Sequence, residues 1–425
     1  MKFSSNKPKV YFKTFGCRTN IFDTQVMINN LKDFDMVSDE AQADLVVINS
    51  CTVTNSADSS AKNYVNSLKK LSNSPKIFFT GCGVWTKGEG LFNEGKIDSL
   101  FGHSLKEEIN EILKKQERIF EPGNLEHIDK TIVSEFVGKS RAFIKIQEGC
   151  DFRCSYCIIP YVRGDARSYD MSVILEQIST LAQNGFGEFI LTGTNIGSYG
   201  KKDKNTSLAK LLKEIFNIKG VRRVRLGSVE PVQIDDEFKE LLNEPKMAKH
   251  LHIALQHTSK DMLRIMNRRN KVLDDLALFE YIADRGYAIG TDFIVGHPGE
   301  TDSLWSEAMQ NLHRFPLTHI HAFTYSKRDG TPSAVMKEIV KGDIAKARHA
   351  ELTKCINEKN RIFRENNYTN LEVLIESTKN KNSYKGYDQF YNLLEVKSKM
   401  DLSNSWVIAQ NAEVRNDKNF FEYEC

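Results

Sequence analysis

The sequence predicts an α/β protein in three parts. These are an N-terminal open parallel sheet with helices, a central partial TIM-like (β/α)6 barrel, and a small C-terminal all-β domain. Three observations predict it. Strand and helix patterns alternate over roughly the first 120 residues, as in parallel sheets joined by helical crossovers. The alternation resumes at Arg141 for six strand–helix units, which suits a partial barrel better than a closed eight-fold one, although a doubly wound sheet alternates the same way. After a long charged helix, Ile344 to Asn366, the tail turns to short β-type runs (LEVLIES, FYNLLEVKS, SWVIAQNAEV). The expected domain limits are 8–120, 136–366 and 367–425.

The first strand is VYFKTF, Val10 to Phe15, followed by a helix from Ile21 to Phe34. LVVIN, Leu45 to Asn49, is a near-continuous apolar run of buried-strand type, and a helix follows over Ser56 to Leu71. IFFT, Ile77 to Thr80, is a third strand; Ser104 to Lys115 has a Ser cap and early Glu and reads as a helix. Glu121 to Gly138 lacks periodicity and reads as a connection. The barrel strands are AFIKIQ, EFILTG, RVRLGS, HLHIALQ, AIGTDFIVG and HIHAFTY, with helices such as Ser172 to Asn184 and Ser303 to Arg314 between them.

With 59 Lys and Arg against 56 Asp and Glu, the net charge of the 425-residue chain is +3, neither a basic nor an acidic tail. The composition excludes collagen-like and low-complexity chains, having nine prolines and 25 glycines. No apolar run approaches the ~18 residues of a membrane-spanning helix, and MKFSSNKPK has no signal core. A cytoplasmic protein without membrane attachment is expected. Its eight cysteines are then reduced thiols rather than a disulfide framework.

Three of them form EGCDFRCSYC, a Cys-x3-Cys-x2-Cys run of Cys150, Cys154 and Cys157 directly after AFIKIQ. Zinc usually takes four protein ligands in a structural site, and no fourth Cys or His lies nearby. A [4Fe–4S] cube held by three thiolates keeps one iron open for a small molecule. A zinc site completed from elsewhere is the alternative. Cys17, Cys51 and Cys82 each follow a candidate strand by two residues, which puts them at one edge of a parallel sheet, where ligands bind in such folds. Small neighbours (Gly16, Ser50, Gly81, Gly83) leave room for a bulky group, and a second [4Fe–4S] cluster with an open iron is expected there. Three unrelated buried thiols are the other reading. Cys355 lies on an apolar helical stripe and reads as core; no role follows for Cys425. The ten histidines show no ligand spacing and read as structural.

The Cys150–Cys157 run, with Tyr156 before its last cysteine, resembles the radical S-adenosylmethionine (SAM) signature. TFGCRTN, VINSCTVTNSAD and FTGC, followed in order by KIQEGCDFRCSYCIIPYVRGDARS, LTGTNIGSYG, VRLGSVEP, HIALQ, DMLRIMNR, TDFIVGHPGET and FTYSKRDGTPSA, resemble the radical SAM methylthiotransferase family over nearly the whole chain. KGYDQFYNLLEV is similar to the TRAM domain, a small RNA-binding barrel.

The resemblance implies two [4Fe–4S] clusters. The N-terminal one carries a sulfur that one SAM methylates. The Cys150, Cys154 and Cys157 cluster cleaves a second SAM to a 5′-deoxyadenosyl radical, and the methylthio group goes to an unactivated carbon. It further implies SAM contacts by Tyr156, Thr192 and Gly193, while Ser228, Glu230 and Gln256, at the C-terminal ends of barrel strands, are expected to contact SAM or substrate. Arg163, Arg167, Arg264 and Arg268 are candidate RNA contacts, the last two placed on one helix face; Arg222, Arg223 and Arg225 form another basic strip. Partners implied are tRNA, a sulfur donor, and an electron donor such as flavodoxin or ferredoxin.

CTVTN, the basic residue of GCRTN, and SKRDGTPSA look most like the enzymes acting on N6-threonylcarbamoyladenosine beside the anticodon. Isopentenyladenosine, a ribosomal-protein aspartate, and a non-catalytic metal-stabilised RNA-binding protein are the alternatives. Two departures from the family pattern bear on cluster or SAM walls: Gly83, Val84 and Trp85 after Cys82, and His257-Thr258 after HIALQ.

Overall fold

The computed structural model describes residues 7–136, 138–201, 203, 206–376 and 382–423, so Cys425 lies outside the described residues. The first sheet is formed by β1 (Lys9–Thr14), β2 (Asp35–Met36), β3 (Leu45–Ser50), β4 (Lys76–Gly81), β5 (Ser99–Phe101) and β6 (Phe120–Glu121), in the order β2-β1-β3-β4-β5-β6. Every pairing is parallel. Every residue of β3 is buried, as expected of a central strand covered on both faces. Among the crossovers, α1 (Arg18–Asn29) and α2 (Asn55–Leu68) matter most here, together with the shorter α3 (Gly88–Asn93) and α4 (Ile109–Lys114).

The helix expected over Ser104 to Lys115 is instead a 3-10 segment, His103–Glu108, running into α4. The tighter winding accompanies burial of Lys106, whose Nζ donates to His103 O (3.0 Å) and pairs with Asp129 (2.5 Å).

The barrel is built from β7 (Ala142–Lys145), the short pair β8 (Gln147–Glu148) and β9 (Arg167–Ser168), then β10 (Glu188–Thr192), β11 (Arg223–Leu226), β12 (Ser228–Val229), β13 (His250–Ile253), β14 (Ala288–Val295) and β15 (His319–Thr324). Parallel ladders give β11-β10-β7 and β12-β13-β14-β15, and a Val224–Met247 bridge joins the two. Six strand positions in sequential order leave the barrel open between β7 and β15. Outside lie α5 (Ile159–Arg163), α6 (Met171–Gln183), α7 (Leu208–Asn217), α8 (Asp236–Glu240), α9 (Lys260–Ile265), α10 (Val272–Ala283), α11 (Asp302–Arg314) and α12 (Gly342–Asn366). The first sheet docks through α1, whose Phe22 and Val26 join the barrel's own apolar core.

The tail forms one six-stranded sheet around Leu371, Val373, Leu394, Val396 and Val407. Its strands are β16 (Thr369–Ile375), β17 (Ser383–Tyr387), β18 (Leu393–Lys397), β19 (Trp406–Asn411), β20 (Glu413–Val414) and β21 (Asn419–Glu422), ordered β19-β16-β17-β18-β21-β20. It is clamped to the barrel by buried arginines. Arg223 and Arg225 share Glu188 and donate to tail carbonyls, Arg223 to Glu372 O (2.7 Å) and Arg225 to Asp388 O. Burial alone would raise the Glu188 carboxyl, yet Arg225, Arg223 and Arg141 hold it down at about 2. These two arginines are therefore an internal clamp, not a basic strip. Arg222 pairs with Glu372 and lies 4.3 Å over the Trp406 ring. No described helix is long and apolar enough to cross a membrane.

Candidate active site

β1, β3 and β4 are neighbours, and their ladder pairs Thr14 with Asn49, Asn49 with Thr80, and Ser50 with Gly81. The three strands thus end level, and Cys17, Cys51 and Cys82 emerge side by side. Glycine is needed for this. A Cβ on Gly16 (φ +93°) would lie 2.7 Å from Cys51 Sγ, and one on Gly81 (φ +89°) 2.4 Å from Ser50 O. Burial pushes the Cys51 thiol up to about 12, with the neighbouring Cys82 and Cys17 sulfurs adding to it.

The second triple follows β8. Gly149 (φ +73°) turns the chain where a Cβ would lie 1.9 Å from Asp165 O. Cys150 Sγ accepts from Phe152 N (3.4 Å) and Asn195 Nδ2 (3.5 Å), and Cys154 Sγ from an Arg268 nitrogen (3.6 Å). Ser155 N donates to Met266 O (2.9 Å), pinning the loop to the turn after α9. Burial pushes the Cys157 thiol up to about 12, and Cys154 and Cys150 raise it further. Gly149→Ala is expected to lose more than the ~1 kcal/mol of an ordinary glycine replacement, and cluster iron with it; iron per chain after anaerobic reconstitution checks this.

All seven described cysteines are free. Among the described residues, no three cysteine sulfurs lie within 4.8 Å of one another. A single zinc with sulfur at about 2.3 Å would hold them about 3.8 Å apart. Both triples therefore suit a larger group, an iron–sulfur cube held by three thiolates, better than one ion.

Through Cys17 the first triple opens on a cavity, and through Cys157 the second opens on the space beside it. A space of about 780 Å³ is lined by Cys17 and Arg18 from the first sheet, by Thr192, Gly193 and Ser228 at the barrel's C-terminal rim, and by Tyr387 and Tyr391 of the tail. Beside it, a space of about 250 Å³ is lined by Tyr156, Cys157, Gln256 and Asp292. Backbone approach is close at Gly193, where a Cβ would meet Gln147 O at 2.6 Å. Gln256 has φ +66° and its backbone bonds Asp292 O and Ile294 N, both at 2.9 Å.

Glu230 is gripped by Arg268 at 2.9 and 2.5 Å, so it orients that arginine beside Cys154. The arginines expected at RNA are mostly elsewhere. Arg268 is not on the helix of Arg264: α9 ends at Ile265, Asn267 takes φ +54°, and Arg268 folds inward with its side chain 2% exposed. Arg264 stays 79% exposed. Arg167 donates to His127 O (3.0 Å) and Arg163 O (2.8 Å).

Arg163, at the end of α5, is 1% exposed. Its Nε donates to Cys82 Sγ (3.1 Å), and its other nitrogens to Asp23 (2.8 Å), Asn20 (2.6 Å) and Glu148. Lys145 bridges the same Asp23 (2.5 Å) and Glu148 (3.0 Å), and Lys106 reaches Asp23 (3.4 Å) and Asp129 (2.5 Å). Three cations and three carboxylates thus lie buried where the first sheet meets the barrel. The only sequence signal was the clustering of charge near GCRTN, KIQEGC and YVRG; nothing local said that it was internal.

The two departures pack plainly. His257 is buried against Phe293 (4.8 Å) and faces Glu300 (3.3 Å), and Thr258 Oγ1 donates to Ala308 O (2.7 Å). Gly83 sits against Phe79 and Ser50, and Trp85 lies at the surface, 37% exposed. Cys355 packs against the barrel core with Sγ 3.6 Å from His313 Nδ1.

Residues 9–102 match a family described as "Uncharacterized protein family UPF0004", and residues 144–312 match the radical SAM superfamily. A Helicobacter pylori strain J99 protein, provisionally named a methylthiotransferase, is 51% identical over 97% of this chain and 99% of its own length. Threonylcarbamoyladenosine tRNA methylthiotransferase MtaB of Aquifex aeolicus is 34% identical over 84% and 90%. A tRNA-2-methylthio-N(6)-dimethylallyladenosine synthase of Acetivibrio thermocellus is 31% identical over 89% and 83%. Among solved structures, the radical SAM methyltransferase TsrM of Kitasatospora setae superposes with a TM-score of 0.60 at 14% identity, over 77% of each chain, a likeness of fold. With SAM and [4Fe–4S] as its cofactors, the chain belongs to the radical SAM methylthiotransferase family.

Proposed function

We propose that this enzyme adds a methylthio group to carbon 2 of N6-threonylcarbamoyladenosine in tRNA, using both cysteine triples as [4Fe–4S] sites. One observation carries the two-site reading: Cys17 opens into the same cavity as Thr192, Gly193 and Ser228 of the barrel rim. When bound, the clusters and SAM supply the radical and the sulfur. The chain's own residues position and enclose. Cys150, Cys154 and Cys157 would hold the cluster that meets SAM, with Arg268 and Asn195 donating to its sulfurs. Thr192, Gly193, Ser228 and Gln256 are the rim positions for SAM, and Tyr156 walls the adjoining space. Cys17, Cys51 and Cys82 would hold the second cluster across the cavity.

The substrate assignment rests on Arg18. It lines the cavity beside Cys17, its guanidinium held by the Tyr391 hydroxyl (2.8 Å), and no carboxylate pairs with it among the described residues. A threonylcarbamoyl group brings a carboxylate to such a cation; an isopentenyl group brings only hydrocarbon. The tail sheet, which adds Tyr387 and Tyr391 to the cavity wall, is the candidate TRAM-like RNA-holding part over 367–425.

The test is mass spectrometry of nucleosides after reconstituted enzyme acts on tRNA lacking the modification. 2-Methylthio-N6-threonylcarbamoyladenosine is the expected product. The isopentenyl analogue, or modified ribosomal protein with unchanged tRNA, would move the enzyme to that substrate.

A further inference from the structure

We propose that His252, Asp292 and His321 form a site for one divalent transition-metal cation, separate from both cysteine triples. The three residues come from β13, β14 and β15, adjacent parallel strands near the barrel's C-terminal rim. Their ligand atoms all lie within 4.8 Å of one another. Asp292 Oδ1 is 3.1 Å from His252 Nε2 and 3.4 Å from His321 Nδ1. Donors about 2.1 Å from a shared cation stand about 3.0 Å apart at right angles and about 3.4 Å apart at tetrahedral angles. The two separations from Asp292 are close to those values.

Two histidines and one carboxylate on one side of an ion, with the other side open, make a set that suits Fe2+, Co2+, Mn2+ or Zn2+. His252 Nε2 is buried and has no hydrogen-bond partner, although Oδ1 is close. The contact is close but poorly aligned for a hydrogen bond, and a cation seated between the two atoms would satisfy both. The open side faces the cavity of about 780 Å³, which Asp292, His252 and His321 all line, and the His321 side chain is 59% exposed.

The strands are built to hold this layer. Gly290 on β14 pairs with His252 on one side and His319 on the other. A Cβ there would lie 3.0 Å from His252 Nδ1 and 3.2 Å from His250 Nε2. A glycine inside a strand weakens it, and its place is explained by the close approach of other groups. Here it lets imidazoles crowd from both neighbours, with the His252 and His321 rings stacked at 4.9 Å.

A second group of similar composition shows the contrast. Glu107, His127 and Asp129 also lie within 4.8 Å, but their donors are spent. His127 Nε2 bonds Glu107 Oε2 (2.9 Å), Glu107 Oε1 accepts from the Lys130 and Thr131 amides (3.0 and 2.8 Å), and Asp129 pairs with Lys106 and Lys145.

The test is equilibrium dialysis of anaerobically reconstituted, full-length enzyme against Co2+, with cobalt and iron counted in the same sample. Wild type is expected to take up one cobalt per chain, His252→Ala and His321→Ala to bind it at least tenfold more weakly, and His127→Ala to match wild type. No saturable cobalt in wild type, or wild-type uptake by both His252→Ala and His321→Ala, would overturn the site. Iron no more than one atom per chain below wild type in each variant shows that the clusters and fold survive; low iron in wild type itself would strike at the two-cluster reading instead.

Discussion

Cys154→Ala is expected to abolish 5′-deoxyadenosine formation from SAM, while Cys51→Ala keeps some uncoupled cleavage and yields no methylthiolated product. The two sulfurs belong to different triples, one on the barrel's loop and one at the end of a strand of the first sheet. Cys154 lies on the loop pinned by Ser155 to the turn after α9 and is approached by Arg268. Loss of one of three thiolates leaves too few ligands for the cluster that must meet SAM. Cys51 lies at the end of β3, against Gly16, and touches none of that loop in its own hydrogen bonding. Chromatography of 5′-deoxyadenosine, read beside mass spectrometry of the nucleoside product, separates the outcomes. Equal loss of cleavage in both variants would contradict the division of labour.

Arg163→Met is expected to destabilise the protein by about 3–5 kcal/mol, the range for removing one partner from a buried ion pair, and to lower the iron bound by the N-terminal triple. The methionine fills the space but leaves Asp23 and Glu148 with Lys145, Lys106 and, 3.9 Å from Glu148, Arg167. Burial by itself would raise both carboxyls; Lys106, Lys145 and Arg163 hold them well below the usual carboxylate range. Groups with depressed folded-state values stabilise above their unfolded pKa of ~4, and that contribution is lost as pH falls. Removing Arg163 raises the folded values, so the acid unfolding midpoint moves to higher pH. Thermal unfolding, acid titration and iron per chain measure the three effects. Arg163→Lys keeps the charge but cannot reach Cys82, Asp23, Asn20 and Glu148 together, so it recovers stability more than iron. Wild-type melting and full iron in Arg163→Met would show that the network carries neither role.

Much of the fold was legible because its signals are local. The apolar run of Leu45 to Asn49 reads as a covered strand and is one, extended to Ser50, and the alternation after Arg141 marks six barrel strands in order. Short pieces escaped. β2 and β6 have two residues each, too few for any period, and the segment from His103 winds as 3-10 around a buried lysine that reads as a surface residue. Arg163 and Arg268 were misplaced for one reason: an arginine in sequence is a cation looking for solvent or phosphate, and only a carboxylate delivered by another element turns it inward. Asp23 and Glu148 come from α1 and β8, and Glu230 follows β12.

By itself the sequence singled out the residues: six cysteines, three in a tight run and three each just past a strand, with small neighbours. Spacing along the chain carries that information because a loop or strand end places its own residues. What the tertiary structure alone decided is which groups meet. The shared ladder of β1, β3 and β4 brings the distant cysteines level, and the packing of α5 against the segment that starts at Cys82 brings Arg163 to that sulfur. The histidines had no ligand spacing, since His252, Asp292 and His321 stand on three successive strands, with α9 and α10 between the first two and α11 between the last two. Parallel strands make neighbours of residues that sequence keeps a crossover apart, and no local pattern records that distance.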